Sequence, residues 1–166
     1  MRNFFRMIVF LLFLIAIGCD HGLEPPNPAL KKTGISGTIT FTNWPDSSSL
    51  FDLRLVAFKN FPPEDIFTEV SEERAVVYPP ITEGHLPFYV DDIDYVMELE
   101  PGTIGYLMVA HQHKPAFLDT ASWQAVGQYD TTPADSMPTP IVLEKGQLLT
   151  GIDIAVDFNR LPMQPF

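Results

Sequence analysis

Between residues 34 and 158 the sequence falls into short runs of alternating apolar and polar residues, most of them ending at a proline or a glycine. Period two is the spacing of a strand with one buried face. It excludes a helical bundle, whose apolar positions recur every three or four residues. The first run is the plainest: Ile35, Gly37, Ile39 and Phe41 share one face, and Ser36, Thr38, Thr40 and Thr42 the other. In the second, Phe51, Leu53, Leu55 and Ala57 are expected inward, with Asp52 and Arg54 outward. Each of the 16 prolines removes a backbone donor and fixes φ, so they belong at strand ends and in loops.

The remaining runs extend this pattern. Residues 43–49 (NWPDSSS) form a turn-rich loop. Pro62-Pro63-Glu64-Asp65 resembles a helix start, and Ile66, Phe67 and Val70 would give one or two turns an apolar face. A short strand is predicted over 75–78, ended by Pro79-Pro80. Ile93, Tyr95, Met97 and Leu99 alternate with Asp94, Val96 and Glu98 and run into Glu100-Pro101-Gly102-Thr103. Proline followed by glycine is a type II turn signal, which predicts a hairpin with 104–111. That partner run is apolar on both faces and belongs at the centre of a sheet. A long loop over 114–140 holds one short strand near 123–129. Residues 141–143 and 151–158 close the pattern, with Ile152, Ile154, Val156 and Phe158 inward. Seven or eight short strands with one short helical insertion predict an all-β, antiparallel sandwich.

The N-terminal residues follow a different rule. Arg2 and Arg6 precede eleven consecutive apolar residues, 7–17, and then Gly18-Cys19. A positive start, a short apolar stretch and a small residue before a cut form a secretory signal pattern. Only thirteen uncharged residues separate Arg6 from Asp20, short of the roughly 20 that span a bilayer. Ile15-Ala16-Ile17-Gly18-Cys19 resembles the lipobox of bacterial lipoproteins, with Ala16 where leucine is usual. That resemblance implies cleavage before Cys19, diacylation of its sulfur and acylation of the new amino terminus. Several acyl chains hold stably where one holds only marginally. The expected organisation is a signal peptide over 1–18, lipidated Cys19 with a Pro-rich tether over 19–33, a sandwich domain over 34–160 and a tail over 161–166. Asp20 resembles the inner-membrane retention signal of enteric bacteria, a rule that differs between lineages. The outer membrane is favoured over the inner, and the leaflet is left open.

Charge and cysteine content narrow the function classes. Ten basic against 21 acidic residues give a net −11, and loss of Arg2 and Arg6 with the signal would make it −13. Such a chain does not grip nucleic acid or anionic lipid through a basic face. A single cysteine excludes an internal disulfide and a multi-cysteine zinc site.

A family resemblance rests on specific runs. Gly34-x-x-Gly37-x-Ile39, Leu53-x-Leu55-x-Ala57 and Leu99-Glu100-Pro101-Gly102-Thr103 followed by 106–110 (YLMVA) resemble the carboxypeptidase-regulatory-like, or transthyretin-like, domain over about residues 34–158. The resemblance implies an immunoglobulin-like or transthyretin-like sandwich, and the chain also looks like small envelope lipoproteins to which no activity is assigned. Transthyretin-like enzymes that hydrolyse 5-hydroxyisourate end in Tyr-Arg-Gly-Ser. This sequence ends in Leu161-Pro162-Met163-Gln164-Pro165-Phe166, so that activity does not carry over.

Three groups are candidates for chemistry or binding. His111 and His113 share one face at a strand end and form half of a metal site, which His85 or Asp91, Asp92 and Asp94 could complete. Those three aspartates also suit calcium, without the glycine and distal glutamate of an EF-hand loop. Trp44, Trp123 and Tyr129, with Phe117, fall in or beside loops, where aromatic side chains stack on sugars or anchor a partner. No G-x-S-x-G, H-E-x-x-H or Gly-rich phosphate loop occurs. The expected function is a lipid-anchored, non-enzymatic binding, adhesion or structural module of the cell envelope, without a cofactor and with a carbohydrate or an envelope protein as partner. The alternative is a small metal- or calcium-dependent envelope enzyme using His111 and His113.

Overall fold

Ten strands and one short helix make up the computed structural model, which describes residues 32–135 and 137–165. The expected signal segment, Cys19 and nearly all of the tether lie outside the described residues. In chain order the strands are β1 (Gly34–Thr42), β2 (Asp52–Phe58), β3 (Ala75–Tyr78), β4 (Asp92–Glu98), β5 (Gly102–Ile104), β6 (Tyr106–Gln112), β7 (Trp123–Gln128), β8 (Ile141–Leu143), β9 (Leu148–Leu149) and β10 (Ile154–Asp157). The helix α1 (Ile66–Ser71) lies between β2 and β3. One sheet runs β10-β1-β4, with β9 also on β1; the other runs β3-β2-β6-β7; β5 and β8 form a two-stranded ribbon. The fold is an all-β sandwich.

Alternation decides which side chains fill it. Ile35, Ile39 and Phe41 of β1 meet Leu53, Leu55 and Ala57 of β2 and Leu107 and Val109 of β6 in the core between the sheets. A second apolar cluster covers the outer face of the β3-β2-β6-β7 sheet, where Val56, Phe58, Tyr106, Met108 and Ala110 pack under Ile66 of α1 and Trp123. With both faces covered, all seven residues of β6 are buried, which explains its unbroken apolar run. Gly37 is required by a close approach: a Cβ there would stand 2.1 Å from the Ile152 carbonyl oxygen. That carbonyl also accepts from the Tyr95 hydroxyl at 2.6 Å.

Helix α1 forms where the sequence indicates, but Pro62–Glu64 precede it and its first turn begins at Ile66. Asp65 is its N-cap, accepting from the amides of Phe67 and Thr68 at 2.9 and 3.0 Å.

Three expectations are corrected. The Pro101-Gly102 turn does not close a hairpin, because β4 pairs only with β1 while β6 pairs with β2 and β7. The turn carries the chain from one sheet to the other. A strand apolar on one face suits an outer position, and one apolar on both must lie between covered faces. Pairing is also not wholly antiparallel, since β1 runs parallel to β9 and β10. No tight turn joins these strands to β1, so hairpin geometry does not set their direction. Finally, Asp52 and Arg54 are buried on the outer face of β2, not solvated. Arg54 donates through Nε and Nη2 to the two Asp52 carboxylate oxygens at 2.9 Å each, and through Nη1 to the carbonyls of Pro79 and Pro80 at 2.8 and 3.1 Å.

Candidate functional site

The two histidines sit at the end of β6 with ring centroids 6.2 Å apart, and the first is committed to the fold. His111 is 2% exposed; its Nε2 lies 2.8 Å from the Ser49 carbonyl, to which it donates. Its Nδ1 accepts from the Gln124 side-chain amide at 3.3 Å, leaving no free lone pair for a metal. Phe158 packs edge-on against its ring. Burial pushes the His111 imidazole below its usual pKa, and burial followed by Lys114 does the same to His113. Nδ1 of His113 and Oγ of Ser122 are buried with no hydrogen-bond partner among the described residues.

The aspartates lie elsewhere. Asp92 and Asp94 point outward from β4, in the sheet opposite β6, and Asp94 accepts from the Thr38 hydroxyl at 2.7 Å. Asp91 is exposed just before that strand. His85 is exposed and stacks on Phe88 at 4.0 Å. Among the described residues no three His, Cys, Asp or Glu side chains converge on a point that could hold a metal ion.

The loop aromatics pack inward. Trp44 lies 4.8 Å from both Phe41 and Phe158 and donates its indole N–H to the Val90 carbonyl at 3.0 Å. Trp123 is 6% exposed, donates to the Phe117 carbonyl at 2.8 Å and meets the Phe117 ring edge-on. Tyr129 is partly buried against the main core. These side chains close the ends of the two clusters, which leaves none of them free as a stacking platform.

The two open sides of the sandwich differ, and this contrast is the most informative surface feature. On one side stand the edges of β7 and β10. The C-terminal tail folds over β7, and the Gln164 side-chain amide meets the backbone of Ala125 as a strand would, accepting from its N–H at 2.8 Å and donating to its C=O at 3.0 Å. Further along, β10 presses on Gly127, where a Cβ would stand 2.7 Å from a Val156 methyl. Edge strands offer unpaired backbone groups, and this one is occupied.

The other side is open. The β3 edge, the end of β4 and β5 border a groove of about 890 Å³. Its walls include Val76, Val77, Leu99 and Ile104, and Val76 and Ile81 at its mouth are 41% and 51% exposed. Glu73, Glu98 and Glu100 stand on its rim with Lys59 and Arg74. Arg74 is held by Glu69 at 2.9 Å and by Glu72, and Glu98 by Lys32. The Arg74 hydrogen bond keeps the Glu69 carboxyl below the usual carboxylate range. This groove escaped the reading of the sequence, although a short Val-Val strand stopped by Pro79-Pro80 is the mark of a sheet edge.

No family model, no curated protein and no solved structure matches the chain.

Proposed function

We propose that the chain is a lipid-anchored, non-enzymatic binding module of a bacterial cell envelope. The groove beside β3 carries the binding part of this reading: an apolar recess lies against the free edge of that strand. The molecule's histidines and acidic side chains, by contrast, are engaged or held apart. Pockets that serve chemistry converge titratable groups; surfaces that serve recognition present apolar area and backbone donors. Of the two partner classes, a protein suits the groove better than a sugar, since Trp44 and Trp123 are spent on packing.

The anchor rests on the sequence. Arg2, Arg6, the apolar run over 7–17 and the lipobox-like 15–19 support export and lipidation at Cys19, with the Pro-rich segment as tether. The resemblance of residues 34–158 to carboxypeptidase-regulatory-like domains supports an accessory role. The test is Cys19→Ser in the full chain, followed by detergent-phase partitioning and labelling with a palmitate analogue. Wild type should be labelled and enter the detergent phase, and the variant should do neither. A variant that stays with the membrane overturns the anchor.

A further inference from the structure

We infer that the groove beside β3 takes an extended peptide segment of a partner protein by strand addition, its basic residues meeting the rim carboxylates; the inference rests on the binding-module reading.

The backbone argument comes first. Lys59 donates its N–H to the Arg74 carbonyl and Leu86 donates to the Leu53 carbonyl, so the odd-numbered residues of β2 face β3. Gly105 donates to the Phe58 carbonyl, so the even-numbered ones face β6. Antiparallel pairing places Ala75 opposite Phe58 and Val77 opposite Val56. The N–H and C=O groups of Ala75 and Val77 therefore point away from the sheet into the groove, and none has a partner among the described residues. An added strand satisfies all four.

Side chains come next. Val76 and Tyr78 lie on the inner face of β3 by alternation, and Tyr78 packs against the main core. Val76 nonetheless stays 41% exposed, because the facing sheet ends with β4 at Glu98. Alternate apolar residues of an inserted peptide would cover Val76, Leu99 and Ile104.

Charge selects the occupant. Glu73 and Glu100 have no cationic partner among the described residues and Arg74 is already neutralised, so against Lys59 the rim keeps a net negative charge. A lysine or arginine on the peptide complements them. The net negative charge on every copy, −11 for the full sequence and −13 without Arg2 and Arg6, opposes pairing of two copies through this edge and favours a partner of opposite charge.

The test follows backbone amide shifts of the labelled full chain in detergent micelles. The probe is a short synthetic peptide of alternating valine and threonine with lysine at both ends, compared with a glutamate-ended counterpart. Saturating shifts at Ala75, Val77, residues 98–100 and residues 102–104 are expected, with the glutamate-ended peptide about tenfold weaker. Val77→Pro removes an N–H that β2 does not use, and Val76→Lys crowds the groove mouth without touching the ladder. Both should abolish the shifts; Val76→Lys, at an exposed position, should leave thermal unfolding unchanged, whereas Val77→Pro also loses packing on the outer cluster and should lower it modestly. Saturating shifts confined to another surface would remove the groove assignment and leave the binding-module reading standing. The absence of shifts with either peptide, or self-association through β3 without peptide, would also overturn the inference. The module reading itself fails on a different result, turnover of a substrate by the purified chain.

Discussion

Asp52→Ala tests how the groove wall is held. The Asp52–Arg54 pair is bidentate and almost fully buried, with side chains 10% and 5% exposed, and the same guanidinium grips the carbonyls of Pro79 and Pro80 just after β3. Removing one partner of a buried pair leaves an uncompensated charge and costs about 3–5 kcal/mol. Here the two carbonyls remain, which puts the expected loss near the lower end, about 3 kcal/mol. With a urea slope of about 2 kcal/mol per molar, the midpoint should fall by about 1.5 M at unchanged slope. The double variant Asp52→Ala/Arg54→Met removes both charges and should recover most of that loss, ending within about 1 kcal/mol of wild type. A single-variant loss below about 1 kcal/mol, or a double variant worse than the single, would refute the claim that desolvated charge governs this corner.

Other expectations follow from the same contacts. The folded chain keeps His111 and His113 neutral where the unfolded chain protonates, so urea stability should be flat above about pH 6.5 and fall as pH drops below it. A second loss should set in below about pH 4.5, where the unfolded chain protonates Glu69, Asp65 and Asp157 while the fold holds all three low; His111→Gln should reduce the first loss, leaving the His113 share, and not the second. Gln164→Ala should cost about 1–2 kcal/mol and speed hydrogen exchange at the Ala125 amide, with other β7 amides much less affected. Titrating zinc or calcium into the full chain should give no binding heat; heat lost in His111→Ala would restore the metal alternative.

Much of the fold is legible in the sequence because alternation is a local property. The strands over 34–42, 52–58 and 75–78, the capped turn at Asp65 and the two-sided apolar strand at 106–112 each declare themselves within a few residues. Which strand pairs with which is not local. Pro101-Gly102 marks a reversal, but the choice between a hairpin and a crossing to the other sheet depends on what covers β6, and that cover comes from Ile66 and Trp123. Asp52 and Arg54 read as a solvated face because nothing nearby shows that Pro79 and Pro80 return to roof them. The alternation places His111 near a strand end, whereas the Ser49 carbonyl that occupies it lies 62 residues away. Gln164 carries no signal at all, since an amide in a proline-flanked tail becomes a strand mimic only once Ala125 stands opposite.

The parallel seam between β1 and β10 bears on when the chain can fold. Thr38 takes a hydrogen bond partner, Asp153, that lies 115 residues later, and the whole register from Ile39 to Thr42 waits on the same late segment. Contacts this distant in sequence make folding slow, because a long loop must close before any of them stabilises the chain. A chain completed N-terminus first would thus hold its first strand unsatisfied on one side until its last strand was available. Truncation before residue 154 should leave the product unfolded rather than merely weakened.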